Sequence, residues 1–435
     1  MTQKTKSKTF WFALTLFSLV GQIAWVVENM YFNVFIYKMF HATPEHIAAM
    51  VAASAVMATL TTVLIGALSD RVGKRKLFIC GGYILWGVSI FAFVFLRVEV
   101  LTPMATATVS AATIGVTLAI ILDCVMTFFG SSANDAAFNA WLTDSVDESG
   151  RGFAEGINAM MPLVSILVVF GGFMFFDLNL AQSWVWIFSI IGVLVLLVGI
   201  AGIFLIQDPP IQPSDKPYLA EIVYGFKPST ICQNPTLYLA FAAFIIFNIS
   251  IQIFMPYLII YYEVSLGMEN YVLIMAPAIL IASAVTVWFG KLYDRYGFFS
   301  TSCLAVGSLA IGYVILGACK HTAPVFIGSL LMMSGYLAGM AVFGALIRGR
   351  IPEGRSGALQ GARIFSQVLI PGIVGPWIGK MILKNAEVIV GNDGTESFVP
   401  GPVIFWAALV AVALMVPLLF LMRWKIGNGT NKADN

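Results

Sequence analysis

Twelve stretches of about twenty apolar residues, each closed off by a short polar segment, run through this 435-residue chain. A segment of that length can lie in hydrocarbon only if its backbone satisfies its own hydrogen bonds. That restricts it to a helix, because a membrane strand needs only about 9–11 residues and a closed barrel around it. The stretches fall at 10–37, 47–69, 77–97, 112–142, 153–176, 184–206, 236–262, 271–293, 299–319, 323–347, 357–383 and 402–422. The longest polar interruption, 207–235, is rich in proline and reads as a linker. The expected architecture is an all-α membrane protein of twelve transmembrane helices in two six-helix bundles. The bundles are 1–206 and 236–422, joined by the cytoplasmic linker 207–235 and followed by a tail at 423–435. Only 11% of residues are charged, against about 25% in soluble domains, which excludes a large soluble enzyme.

Twelve spans put both termini on one side, and basic residues say which side. Counted along the alternating loops, 18 of the 24 Lys and Arg fall with the N-terminus, among them Lys4, Lys6, Lys8, Arg71, Lys74, Arg75 and Lys76. Lys38, Arg97, Lys320, Lys380 and Lys384 fall on or near the other side, and Arg363 lies inside a span. By the positive-inside rule both termini are cytoplasmic, in a plasma-membrane protein. The first span follows its lysines without a small-residue cleavage site, so it reads as a retained helix. The net charge of +2 carries no signal of a nucleic-acid partner, and none is expected. The partners implied are the lipid bilayer and a small-molecule solute, with the chain acting as a monomer.

The halves repeat each other. Gly66-Ala-Leu-Ser-Asp70-Arg71-Val-Gly73-Lys74-Arg75-Lys76 joins spans 2 and 3, and Gly290-Lys-Leu-Tyr-Asp294-Arg295-Tyr-Gly297 joins spans 8 and 9, 224 residues later. Arg151 opens span 5 and Arg355 opens span 11, at an offset of 204. The first half therefore carries about twenty extra residues, placed at 98–118, outside the membrane or as an extension of helix 3 or 4. Glycines at both ends of a short loop allow a tight turn. An acid between them can accept hydrogen bonds from helix N-termini or arginines and latch one conformation. The plainer alternative is a positive loop that only sets topology. This pattern resembles the loop between helices 2 and 3 of the major facilitator superfamily and its second-half equivalent. The resemblance implies two pseudo-symmetric bundles that rock about a central solute site. It also implies a gating role for Gly66, Asp70, Arg71, Gly73, Arg75, Gly290, Asp294, Arg295, Arg151 and Arg355.

Charged and amide side chains inside spans are expensive, at about 2.5–3.5 kcal/mol on insertion scales, and mark paired or functional positions. In span 1, Gln22, Trp25, Asn29 and Asn33 follow helical spacing, with Glu28 one step around from Trp25. Amides beside an indole suit a hydroxylated ligand; helix–helix hydrogen bonding is the structural alternative. Span 4 carries Asp123, Asn134, Asp135 and Asn139, and either aspartate could be the central acid depending on where the helix starts. In span 11, Gln360, Arg363 and Gln367 share a stripe. Arg363 should face the cavity or pair with Glu28 or Asp135, with Asp144 as the alternative partner. Asn248, Gln252 and Tyr257 of span 7 mirror the stripe of span 1. Trp86, Trp377 and Trp406 are further cavity candidates, and Trp11, Trp184, Trp186 and Trp424 read as interfacial anchors.

Gly21-Gln22-Ile-Ala-Trp25, Phe35-Ile-Tyr37, Trp141-Leu-Thr-Asp144 and Met255-Pro256-Tyr257 are similar to segments of the glycoside–pentoside–hexuronide symporters and the related sucrose–proton symporters. That resemblance implies sugar-like solutes. Sodium-coupled members of the group carry paired aspartates in helix 2, whereas span 47–69 has no acid. This favours a transported proton over sodium, carried by Glu28, Asp135 or Asp123. There is no phosphate-binding GxxxxGK[ST] loop, no metal-type His/Cys spacing and no nucleophile–base arrangement. The chain is thus read as no enzyme, with no metal and no cofactor beyond the proton. The leading expectation is proton-coupled sugar or glycoside symport by alternating access. A proton-coupled exporter of amphipathic drugs or another organic solute, and a non-transporting sensor, are the competing readings.

Overall fold

The computed structural model describes residues 7–106, 109–146, 148–208, 223–351, 356–390 and 394–430, without the side chains of Asp70, 148–153, Glu155, 356–358, Gln360 and 425–430. Its helices are α1 (Lys8–Phe40), α2 (Pro44–Val72), α3 (Arg75–Phe95), α4 (Ala111–Ser145), α5 (Glu148–Phe173), α6 (Ala181–Leu205) and α7 (Pro235–Ser265), then α8 (272–296), α9 (298–318), α10 (Thr322–Arg350), α11 (356–383) and α12 (Val403–Thr430). Among the described residues eleven helical segments are long and apolar enough to cross a membrane. One of them, Val272–Ala318, bends at Gly297 and makes two passes, α8 and α9. The chain is a multi-pass, twelve-helix membrane protein.

Two units pack internally, Met1–Lys216 and Pro217–Asn435. In unit 1, α1 packs on α5 and α6, α3 on α4 and α6, and α2 on α4. In unit 2, α7 packs on α10, α11 and α12, and α10 packs on the α8–α9 pair. The described ends of the polar segment 207–235 are docked on their own units. Gln207 accepts from Trp141 Nε1 at 2.9 Å, and Asp208 accepts from the Lys76 amide at 2.7 Å. Further on, Phe226 packs on Phe365.

Local chemistry explains the punctuation. Thr43 caps α2 in a capping box with His46, ahead of Pro44 at the first helical position. The repeated motif turns on its second glycine in both halves: Gly73 has φ 67° and Gly297 has φ 74°. Any side chain is strained there. The extra residues of the first half are divided. Val98–Leu101 and Thr102–Met104 form short helical turns, and α4 begins only at Ala111. A hairpin that the span reading did not anticipate, β1 (Glu387–Val390) with β2 (Glu396–Val399), links α11 to α12 in antiparallel register with Glu387 opposite Val399.

Among the described residues four helices contain π-helical turns: Val27–Phe32 in α1, Ser131–Phe138 in α4, Tyr261–Ser265 in α7 and Phe365–Leu369 in α11. A π turn inserts a residue, so everything beyond it is rotated by about 100° from the 3.6-residue register. It also leaves carbonyls in need of donors. Side chains supply them: Asn29 to Trp25 O (2.8 Å), Ser132 to Phe128 O (2.6 Å) and Asn139 to Asp135 O (3.1 Å).

Candidate functional site

The π turns put the acids of unit 1 where an unbroken helix would not. Glu28 is in the π turn of α1, 7% exposed, near the middle of the helix. Its Oε1 accepts from Ser54 Oγ of α2 at 2.7 Å and from Thr127 Oγ1 of α4 at 2.9 Å. The two hydroxyls lie 3.0 Å apart, so one carboxylate oxygen and two hydroxyls close a triangle across three helices. All three residues sit within about a turn of their helix midpoints, the depth at which water is scarcest in a membrane. The other carboxylate oxygen, Oε2, is buried without a hydrogen-bond partner. One turn up α4, Asp123 is 2% exposed, its Oδ1 is equally unpartnered, and it interacts electrostatically with Glu28. Among the described residues no basic side chain forms an ion pair with either. Two buried carboxyls with two open oxygens and no counter-cation make a site that a cation, the proton included, can neutralise.

Two turns beyond Thr127, on the other side of the triangle, Asp135 is partly exposed and accepts from Ser131 Oγ at 3.0 Å. The Trp25 indole faces it, and Nε1 makes no well-formed hydrogen bond. Trp25 stacks obliquely on the buried Trp86, with ring centroids 5.0 Å apart. Both rings lie over Gly130. With Gln22 partly exposed and Asn29 and Asn139 exposed, α1 and α4 present a polar face that carries one acid and one indole. The choice between Asp123 and Asp135 therefore dissolves into two environments: Asp123 shares the buried layer with Glu28, and Asp135 lies on the open face.

Other candidates turn inward. Asn33, past the π turn, is 1% exposed, and its amide reaches back to Asn29 O at 3.3 Å. The insertion rotates it off the stripe shared by Gln22, Trp25 and Asn29. Asn134 is buried, and the single Tyr83 hydroxyl proton lies between Phe17 O at 2.7 Å and Asn134 Oδ1 at 3.0 Å. Gly21 makes room for this bridge: a Cβ there would fall 2.5 Å from Tyr83 Oη and 2.6 Å from Asn134 Oδ1. In unit 2, Asn248 is buried and donates to Phe244 O at 2.8 Å, and Tyr257 is fully buried beside Gly379 and Phe398. Gln252, Arg363 and Gln367 are partly exposed. Arg363 and Gln367 flank or enter the π turn of α11, which breaks their predicted stripe. The Gln360 side chain lies outside the described residues. Trp86 is fully buried, whereas Trp377 and Trp406 are exposed at 55% and 40%. Trp184, expected as an interfacial anchor, is buried with its N–H on Leu178 O.

At the end of unit 1 that carries the repeated motif, Arg75 is the buried member. Its Nε and Nη2 donate to Asp144 Oδ2 at 3.1 and 3.0 Å, and Nη1 donates to Ser69 Oγ at 2.6 Å. Asp144 is thus engaged within unit 1. Arg71, Gly290, Asp294 and Arg295 are exposed, with Arg295 over the Tyr296 ring at 5.2 Å. Gly66 is crowded by nothing nearer than the Ala136 methyl at 3.9 Å. The Asp70 and Arg151 side chains, and Arg355 altogether, lie outside the described residues.

Residues 10–376 match the sequence profile of the Major Facilitator Superfamily. The chain belongs to this superfamily. Among curated proteins none matches its sequence significantly. Among solved structures it is similar to a variant of the nucleoside transporter NupG (10% identity, TM-score 0.71, 94% of this chain and 99% of that one). It is also similar to a D-xylose–proton symporter (16%, 0.69, 93% and 97%) and to the xylose transporter XylE from E. coli (16%, 0.66, 96% and 99%). At these identities the likeness is one of fold. This superfamily member is a transporter and not an enzyme.

Sequence reasoning passed over Ser54, Thr127 and Tyr83. Hydroxyls are ordinary inside spans, where many bond only their own helix, as Thr62 does to Ala58 O. The signal was Asp123, Thr127, Ser131 and Asp135 at successive fourth positions, a continuous polar line along α4.

Proposed function

We propose that this chain is a secondary active transporter that carries a sugar-like, hydroxylated solute together with a proton by alternating access. Glu28 is the principal proton carrier and Asp123 its neighbour in the same buried layer. The observation that carries this reading is the Glu28–Ser54–Thr127 triangle with its two open carboxylate oxygens. An ionised carboxylate in that position is held by two hydroxyl donors but keeps an uncompensated oxygen, and a proton removes the cost. The site can therefore hold a charged or a neutral carboxyl, which coupling requires. The open face of α1 and α4 supplies amides for hydroxyls and an indole for a sugar's C–H surface. Nucleosides and xylose, named for the structural neighbours, share ring hydroxyls, which supports the solute class. The transporter acts as a monomer in the plasma membrane, with both termini cytoplasmic and no cofactor beyond the transported proton.

The test is proton movement driven by solute in proteoliposomes containing the purified chain and a pH-sensitive dye in the lumen. A panel of mono- and disaccharides, glycosides and nucleosides is added outside without an imposed gradient. At least one should drive acidification of the lumen. If none moves protons while lipophilic cations do, the chain is an exporter of amphipathic solutes; solute uptake that is unaffected by proton ionophores removes the proton.

A further inference from the structure

We propose that a recess at the end of unit 1 opposite the Arg75–Asp144 pair binds the head group of a zwitterionic aminophospholipid, with its phosphate on Arg97 and its ammonium on Glu99. The recess is shallow and opens where α1, α3 and α6 end. Phe35, Phe93, Leu96 and Trp184 form its apolar wall, and Arg97 and Glu99 are its charged residues.

Arg97 Nε is buried and has no hydrogen-bond partner. A guanidinium is a planar fork that pairs with phosphate oxygens through two parallel bonds, and an unsatisfied buried donor favours a ligand that completes it. Glu99 is exposed, and among the described residues it forms no ion pair with Arg97. Among the described residues the two opposite charges are not paired with each other, and they lie two residues apart on one rim. A phosphate alone would satisfy the first and be repelled by the second. A phosphate followed by an ammonium satisfies both.

The first turn of α6 strengthens the anion side. Ala181 and Trp184 line the recess, and Leu180, at the cap position, offers no side-chain acceptor to the first turn of this 25-residue helix, in which the Ser183 amide is taken by Leu180 O. The surroundings select a lipid over a soluble solute. Phe91 and Phe95 on α3, and Trp186 and Ile190 on α6, are exposed on the helices that flank the opening. Acyl chains can lie along these side chains while the head group sits at the helix ends, the level of the membrane interface.

The experiment is native mass spectrometry of the delipidated full-length chain, titrated with dioleoyl-phosphatidylethanolamine, -phosphatidylcholine or -phosphatidylglycerol. Water-soluble glycerophosphoethanolamine serves as competitor. Phosphatidylethanolamine should be retained best. Arg97→Gln should weaken its retention by about tenfold, a loss of one charge-assisted contact. Glu99→Gln should equalise phosphatidylethanolamine and phosphatidylglycerol while leaving binding itself in place. Arg97→Lys keeps the charge without the fork and should retain only part of the binding; it carries the test if the glutamine variant does not fold. Wild-type retention in either Arg97 variant overturns the proposal, and so does an unchanged lipid preference in Glu99→Gln. Equal competition by glycerophosphoethanolamine would assign the recess to a soluble phosphate ester instead of a lipid.

Discussion

The Arg75–Asp144 pair makes an asymmetric prediction. The Arg75 side chain is 5% exposed and that of Asp144 is 30% exposed. Replacing Asp144 with Ala removes the carboxylate that pairs with a buried guanidinium, which keeps its bond to Ser69. Removing one partner of a fully buried pair costs about 3–5 kcal/mol, and partial access of water at the acid places this case near the lower end, at about 3 kcal/mol. Replacing Arg75 with Met fills the same space and leaves the stranded charge on Asp144, which water reaches. The loss then includes the bonds to Asp144 and Ser69, offset by rehydration of the acid, for a net of about 1 kcal/mol. For a unit of some two hundred residues, 1 kcal/mol shifts the melting temperature by about 2–4 °C. Asp144→Ala should therefore melt roughly 6–12 °C lower and Arg75→Met roughly 2–4 °C lower in the same detergent, by tryptophan fluorescence of the purified chain. The double variant should cost less than the sum of the two, because neither charge is left behind. Equal shifts, or a larger shift for Arg75→Met, would refute the claim that burial decides which partner matters.

Other consequences follow from the same geometry. Gly21→Ala should destabilise the chain by about 1–3 kcal/mol through overpacking, and Tyr83→Phe in the same chain should restore part of the loss; thermal melting of the single and double variants checks this. Gly73→Ala, at φ 67°, should cost about 1 kcal/mol. Gly66→Ala, with nothing nearer than 3.9 Å, should be close to neutral; the reverse order in a melting series would remove the turn from the account. Ser54→Ala and Thr127→Val each delete one hydrogen bond to Glu28 worth about 1.5–3 kcal/mol when the acceptor is charged. Each should move the pH of half-maximal uptake by about one to two units with little change in solute affinity, and uptake whose pH profile is unchanged in both would detach the triangle from coupling.

The twelve passes, the internal repeat and the buried acids were legible because each has a direct physical signature in sequence: length of apolar run, paired glycines around a turn, and charge where charge is costly. Gly73 and Gly297 illustrate this, since the motif put glycine where the backbone needs positive φ. The register of the site was not legible. Helical spacing placed Asn33 on the stripe of Gln22, Trp25 and Asn29, and the π turn at Val27–Phe32 rotated it into the core. Nothing in residues 27–32 announces an i→i+5 bond, because the turn is maintained by tertiary packing and by amides that serve the freed carbonyls. The same limit hid the triangle: Ser54 and Thr127 are unexceptional on their own helices and gain a role only where α1, α2 and α4 meet. The hairpin at 387–399 was missed for a different reason. Residues 384–401 fall between the spans read at 357–383 and 402–422, and the partner that makes Glu387–Val390 a strand, Glu396–Val399, is separate in sequence.

The central claim is that Glu28 carries the coupling charge. Its most direct test is the Glu28→Gln variant, reconstituted in proteoliposomes and assayed with whichever solute drives proton movement in the wild type. Glutamine keeps the shape and can still accept from Ser54 and Thr127, but it cannot release a proton. The account predicts that exchange of labelled for preloaded solute persists while uptake against a solute gradient is lost. Uphill uptake at the wild-type level in Glu28→Gln, and again in the double variant with Asp123→Asn, would contradict it.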